Sequence, residues 1–214
     1  MTEPVDVFWS FRSPYSYLVT YDLLQLRDEL DALINLRVVL PLAIRNKAAV
    51  FDPNNTKPVR YILLDSRRRA EMLGRPLAWP MPDPIVQDPA TMQVAPDQPY
   101  IYRLSRLGVE AQRRAKGLEF AANVSRLLFG GTRHWDQGDH LAQAAAQAGL
   151  DLADMERAIA GGDQLEEVER NQAALEIAGH WGVPTMVVRG EPFFGQDRID
   201  TLRWRLQKLG VAKS

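Results

Sequence analysis

Along the first forty residues the apolar positions change their period twice. Val5 to Trp9 is a short apolar, β-prone run, and from Pro14 onward Tyr17, Leu18, Tyr21 and Leu24, with Leu23, Leu26, Leu30 and Leu33, recur at helical spacing. Ile34, Leu36, Val38 and Leu40 then alternate with Asn35, Arg37 and Val39. The pattern predicts a strand, a helix opened by Ser13 as cap with Pro14 at its first position, and a second strand. A parallel pair joined by a right-handed helical crossover is the expected packing. It puts the strand-to-helix junction at Ser13 on the carboxyl edge of the sheet, where such sheets bind ligands.

From about Arg45 to Gly162 the spacing is helical. It predicts helices over Arg60 to Leu73, Tyr100 to Leu107 (closed by Gly108), Val109 to Phe129, His140 to Ala148 and Leu152 to Ala160. Seven prolines between Pro76 and Pro99 mark a long extended connector packed over the surface. A helix from about Gln164 to Ala178 follows, then a strand from Thr185 to Val188, a turn at Gly190-Glu191, a short strand at Phe193-Phe194 and a closing helix from Ile199 to Leu209. A β-α-β unit and an α-β-β-α unit flanking a helical block predict an α/β protein, a thioredoxin-like fold with a large all-helical insertion. Residues 1–45 plus 163–214 would form the thioredoxin-like part and residues 46–162 the insertion.

Composition narrows the chemistry. The length suits one enlarged domain. With 27 acidic against 26 basic residues and a net charge of −1, the chain carries no electrostatic footprint for nucleic acid or an anionic membrane. Arg67-Arg68-Arg69 and Arg113-Arg114 read as solvated helix faces. The absence of cysteine excludes a disulfide framework, a cysteine nucleophile and a thiolate metal site. His134, His140 and His180 lack the spacing of a helical metal pair and are assigned to surface or core roles. No basic and apolar leader opens the chain, and no run approaches the roughly 20 apolar residues of a membrane span, so a soluble cytoplasmic protein is expected.

The most telling residues are Ser13-Pro14-Tyr15-Ser16, which stand where a thioredoxin-like protein carries Cys-Pro-Tyr-Cys. A hydroxyl cannot cycle between dithiol and disulfide. A serine there can still donate a hydrogen bond, so the sulfur is expected to arrive with a bound thiol such as glutathione. Ser13-Pro14-Tyr15-Ser16-Tyr17, Gly182-Val183-Pro184-Thr185 and Phe194-Gly195-Gln196-Asp197-Arg198, in this order, resemble the motifs of the 2-hydroxychromene-2-carboxylate isomerases and the kappa-class glutathione transferases, the glutathione-using branch of the DsbA-like group. The resemblance spans essentially the whole chain. It implies a glutathione-dependent isomerase in which Ser13 faces the glutathione sulfur as the catalytic residue and Val183 contacts glutathione through its backbone. It also implies that Gln196 and Asp197 bind glutathione, that Asn55, three residues before Pro58, is a further contact, and that the protein is a homodimer. Two positions depart from the family: Ser10 stands where members often carry aspartate, and their glutathione-binding lysine is placed differently from Lys57.

Each residue also has a plainer reading. Ser13 can be an ordinary N-cap, worth about 1 kcal/mol, and the two roles are compatible. Ser16 reads as a helix residue bonding locally. Pro184 is expected in cis, with Val183 presenting its main chain as an added strand would. Asp197, with Asp200 three residues on, can be an N-cap, or can join helix N–H groups in receiving the ammonium and carboxylate of a γ-glutamyl group. Asn55 has turn chemistry. Arg45 and Asn46 follow the second strand as a solvated loop or as partners of a substrate carboxylate, and Trp79 and Trp181 are candidates to wall an aromatic pocket. The reaction the resemblance implies is reversible addition of the glutathione thiolate to an enone-like carbon of a small aromatic or electrophilic substrate. The alternatives are a kappa-like glutathione transferase or a reductive dehalogenase, in which the thioether is kept or reduced, and a cysteine-free thioredoxin-fold module that binds peptides without catalysis.

Overall fold

The structure, a computed structural model, describes residues 3–30, 32–45, 52 and 54–211. Strand β1 (Pro4–Trp9) leads into helix α1 (Pro14–Leu30) and strand β2 (Leu33–Val38), and β1 and β2 pair in parallel from Pro4 opposite Leu33 to Trp9 opposite Val38. After the helical block, β3 (Thr185–Val188) lies antiparallel to β1 and β4 (Glu191–Phe194) antiparallel to β3, giving the sheet order β2-β1-β3-β4. The closing helix is α9 (Ile199–Lys208). This is the predicted thioredoxin-like arrangement.

The pleat explains how the sheet is covered. Val5, Val7 and Trp9 share one face with Ile34, Leu36, Val38 and Met186, and all are buried in one core with Leu18, Leu23 and Leu26 of α1 and Leu202 and Leu206 of α9. On the opposite face Phe8 and Val39 pack against Leu175 of α8 (Gln164–Ile177). Farther along that face the sheet turns polar: Asp6 accepts from Asn35 (3.2 Å) and Arg37 (3.1 Å).

Between the two halves lie α2 (Leu42–Arg45), α3 (Lys57–Met72), α4 (Ile101–Arg113), α5 (Gly117–Phe129), α6 (His140–Gln147) and α7 (Leu152–Ile159). Leu104 and Leu107 of α4 and Phe120 and Phe129 of α5 belong to the same core as the sheet, so the inserted helices share its apolar interior. One expected break is misplaced. Gly108 does not end a helix but lies inside α4, where a Cβ would fall 2.7 Å from the Phe11 ring and 2.9 Å from a Val38 methyl. Close packing against β2 requires glycine there and overrides its poor helix propensity. The chain turns instead at Ala115 (φ 58°), before α5.

The hairpin between β3 and β4 turns at Arg189-Gly190, one residue earlier than expected, with φ of 50° and 79° at the two positions. That pair of positive angles is what a two-residue hairpin demands, and the Arg189 guanidinium is tied to Glu3 at 2.7 Å. Strand β2 ends at Val38 rather than Leu40, whose N–H donates to Gln172 Oε1 of α8 (3.1 Å). Among the described residues no helix is long and apolar enough to cross a membrane.

Candidate functional site

The chain turns from β1 into α1 with the Ser13 N–H donating to Ser10 O (3.0 Å). Ser13 Oγ accepts the Ser16 N–H (3.1 Å), the contact of an N-cap serine. Pro14 has no N–H, and the Tyr15 N–H finds no acceptor among the described residues. The Ser13 hydroxyl donates to the Val183 carbonyl at 3.4 Å, longer than a normal O–H···O bond. Its oxygen is therefore firmly engaged as an acceptor while its proton is weakly held. The buried Ser16 hydroxyl has no partner among the described residues.

Val183 belongs to the loop between α8 and β3, and the Val183–Pro184 bond is cis as expected. Neighbouring backbone groups of that loop are occupied. Trp181 O accepts from Arg45 Nη2 (2.6 Å), Gly182 O from Thr185 Oγ1 (2.8 Å) and Pro184 O from the Gly195 N–H (2.9 Å), while the Gly182 N–H donates to His180 Nδ1 (2.8 Å). The Val183 N–H is left without an acceptor among the described residues.

The Gly195 bond brings the turn between β4 and α9 beside the proline loop. There Gln196 is buried, and its Oε1 accepts from Arg69 Nε (3.1 Å) and Nη2 (2.9 Å). Two donors on one atom identify it as the amide oxygen, which leaves Gln196 Nε2 as a donor with no acceptor among the described residues. Asp197 is not an N-cap. The capping position of α9 is Arg198, which makes no side-chain cap bond, and the Arg198 N–H donates to Gly195 O (3.2 Å), carrying the chain one residue past Asp197 before the helix begins. The half-exposed Asp197 carboxylate pairs with Arg198 at 2.9 Å.

Helix α3 closes one side. Tyr15 OH donates to Asp65 Oδ2 (2.9 Å), and burial together with that carboxylate pushes the phenol well above its ordinary range. One helical turn on, Arg69 reaches Gln196, so the arginine run is not simply a solvated face. The connector closes another side: Arg12 holds Asp83 through two bonds (2.8 and 2.9 Å) and Gln87 through a third (3.1 Å). Trp79 Nε1 donates to Asp83 (3.0 Å), and the Arg12 guanidinium lies 5.7 Å from the Trp79 ring centre. On the proline-loop side His180 stacks on Phe194 (3.9 Å between ring centres) and on Trp181 (5.4 Å), and Trp181 and Phe194 are each 44 % exposed.

The structure thus brings Ser13, Val183 and Gln196 to one edge of the sheet, with Asp197 the next residue along. Asn55 is not joined to them: it is exposed in the turn before α3, its N–H donates to Asp52 O (3.0 Å), and no contact links its side chain to the group among the described residues. Arg45 is not a solvated loop residue. It donates to Leu40 O (2.7 Å) as well as Trp181 O, and burial lowers its pKa to about 10; Asn46 lies outside the described residues. No group of three or more His, Cys, Asp or Glu among the described residues is placed to hold a metal ion. Sequence reasoning missed Asp65, Arg69 and His180. The helical spacing of Asp65 and Arg69 puts them on one face, but nothing in the sequence says that this face meets Tyr15 and Gln196.

Residues 4–207 match the family model of the DSBA-like thioredoxin domain. Among solved structures, the chain is similar to 2-hydroxychromene-2-carboxylate isomerase (HCCA isomerase), with 22% identity and a TM-score of 0.67 over 97% of this chain and 96% of that one. It is also similar to the cytosolic disulfide reductase DsbM from Pseudomonas aeruginosa, with 17% identity and a TM-score of 0.62 over 96% of this chain and 98% of that one. A second structure of DsbM, with GSH, matches at 14% identity with a TM-score of 0.59, over 96% of this chain and 98% of that one. No curated protein sequence matches. Likeness at these identities concerns the fold, whereas the family model covers almost the entire chain: the protein belongs to the DSBA-like thioredoxin domain family.

Proposed function

We propose that this protein is a glutathione-dependent isomerase acting on a small aromatic or enone substrate. The observation that carries the reading is the Ser13 hydroxyl, whose oxygen is held by the first turn of α1 and whose proton reaches the Val183 carbonyl beside the cis proline at 3.4 Å. This chain, which has no cysteine, supplies no sulfur of its own at that point. The groups around it suit glutathione. They comprise the weakly engaged Ser13 hydroxyl, the Tyr15 and Val183 N–H groups, the Gln196 amide donor and the half-exposed Asp197 carboxylate, which is paired with Arg198, against a ligand that carries a thiol, peptide carbonyls, two carboxylates and an ammonium.

When bound, glutathione supplies a thiol nucleophile for reversible addition to an electron-poor double bond, which frees that bond to rotate. The protein's part is to favour the anionic sulfur. Ser13 turns its weakly held proton from Val183 O toward the sulfur, and the Ser16 N–H on its oxygen polarises it as a donor. The Tyr15 N–H and the dipole of α1 add to the same field. Val183 offers its N–H and carbonyl to the peptide backbone of the ligand. Gln196, its oxygen pinned by Arg69, donates to a carboxylate, and Asp197 accepts from the ammonium.

Titrating the glutathione thiol by its ultraviolet thiolate absorbance, with protein in excess, tests this. The wild-type protein should lower the thiol pKa by a unit or more and Ser13→Ala should return it most of the way to the free value. An unchanged pKa with the wild-type protein overturns the reading. The Val183 N–H, without an acceptor among the described residues, would also serve a peptide groove. Peptide binding that persists in Ser13→Ala, without any effect on glutathione, would favour that alternative.

A further inference from the structure

The geometry points to His180 as a positioning residue of the Val183 loop: its unprotonated Nδ1 holds the Gly182 N–H, and its ring, stacked on Phe194, fixes the backbone one residue before Val183. The hydrogen bond measures 2.8 Å, and an N–H facing Nδ1 requires that nitrogen to be an acceptor, so the ring carries its proton on Nε2. The ring centres of His180 and Phe194 are 3.9 Å apart at an interplanar angle of 23°. Gly182 lies against both rings: a Cβ there would fall 2.4 Å from Phe194 Cε2 and 3.0 Å from His180 Cε1. The same loop is held from α2 by Arg45 through Trp181 O. His180 and Arg45 thus grip the amide of Gly182 and the carbonyl of Trp181, and the next free amide is that of Val183.

The grip depends on charge. A protonated imidazole loses its acceptor and confronts the Gly182 N–H with a second N–H. The surroundings already disfavour that cation, because the ring is half-buried and Arg45 is the charged group that acts on it, while β4 contributes the uncharged Phe194 and the loop Trp181. Glu176 of α8 acts on Arg45 rather than on the ring. Acidification should therefore loosen the Val183 main chain and weaken whatever it binds.

The ligand arm of the test rests on the glutathione reading, and the first arm does not. Nuclear magnetic resonance of the ligand-free protein between about pH 8 and pH 5 should show a non-protonated Nδ1 at neutral pH and a Gly182 amide signal that titrates with the ring. Glutathione affinity should fall about tenfold per pH unit below the ring's pKa in the wild type. In His180→Asn, whose side-chain carbonyl offers an acceptor that does not titrate, the part of the acid loss that follows the ring should disappear, leaving only the part that follows the glutathione thiol, and the neutral affinity should survive. A protonated Nδ1 at neutral pH, a Gly182 amide indifferent to the ring, or an equal acid loss in His180→Asn overturns the proposal. No glutathione binding at any pH, with the Gly182 amide still following the ring, supports the His180 link and overturns the glutathione reading.

Discussion

The two sides of the candidate site are built differently. On the sheet side, Ser13 is bonded to Ser10 and Gly195 to Pro184 through the backbone, the Ser13 hydroxyl meets the Val183 carbonyl, and these residues stand on a core in which Trp9, Tyr17, Leu18 and Met186 are fully buried. On the helical side, α3 buries only Ser66 and Ala70 and exposes Tyr61, Leu63, Leu64 and Met72. It and the connector are tied to the sheet side by side chains: Asp65 to Tyr15, Arg69 to Gln196, Asp83 and Gln87 to Arg12, and the Pro76 carbonyl to Tyr17 OH (2.7 Å). Groups proposed to meet a glutathione sulfur need fixed positions, which a helix cap, a bonded loop and the packed core beneath them supply. The helical side, proposed to fit a second substrate, is held by bonds worth about 0.5–3 kcal/mol each, and those can be exchanged singly without dismantling the fold.

That contrast can be broken from either side. The largest effect should follow Ser13→Ala: a loss of about 10²–10³ in glutathione-dependent turnover, by analogy with removing one donor from an anion hole. Its stability cost should be only about 1 kcal/mol, the worth of a cap, read by denaturant unfolding. A variant that unfolds outright would mean that the hydroxyl is chiefly structural. Arg12→Ala should come next, because it leaves the partly buried Asp83 carboxylate without its guanidinium, at a cost of about 1–3 kcal/mol. Adding Asp83→Ala should recover part of that loss, and strict additivity of the two would show that the pair is not coupled.

A smaller, more selective change is expected from Arg69→Met. It frees the Gln196 amide to flip and should raise the KM for glutathione several-fold with kcat and melting temperature nearly unchanged. A drop in kcat alone would put Arg69 in a different role. The smallest effect is on stability in acid. Burial, with Arg45 nearby, holds the His180 pKa below its ordinary value, so the unfolded chain takes up a proton near pH 6.5 that the folded protein refuses. The contribution is present above that pH and is lost as the pH falls from about 6.5 toward the folded value. Melting temperatures should therefore fall more steeply with acid in the wild type than in His180→Asn, and parallel slopes would contradict this.

The same contrast governs how much could be read beforehand. Periodicity in Val5 to Leu40 and the Val-Pro-Thr setting of Pro184 are local signals, and they placed β1, α1, β2, the proline loop and Ser13 correctly. Gly108 misled because its reason for being glycine is contact with Phe11 and Val38, far away in sequence. Asp197 misled because a helix beginning at Ile199 has its capping position at Arg198, one residue past Asp197. The ties of α3 and the connector join residues 50 to 127 positions apart and leave no local pattern, so Asp65, Arg69 and Asp83 became visible only in the fold. A second cis bond, Met81–Pro82, was hidden among the many prolines of the connector.

The most direct measurement is a calorimetric titration of the purified protein with reduced glutathione near pH 7.5, repeated with S-methyl glutathione. Binding of glutathione that is clearly weakened by the methyl group is the predicted result, since the sulfur then meets the Ser13 hydroxyl and the Tyr15 N–H as an anion. No binding up to about 10 mM, a limit of only about 3 kcal/mol of affinity, would contradict the proposed site.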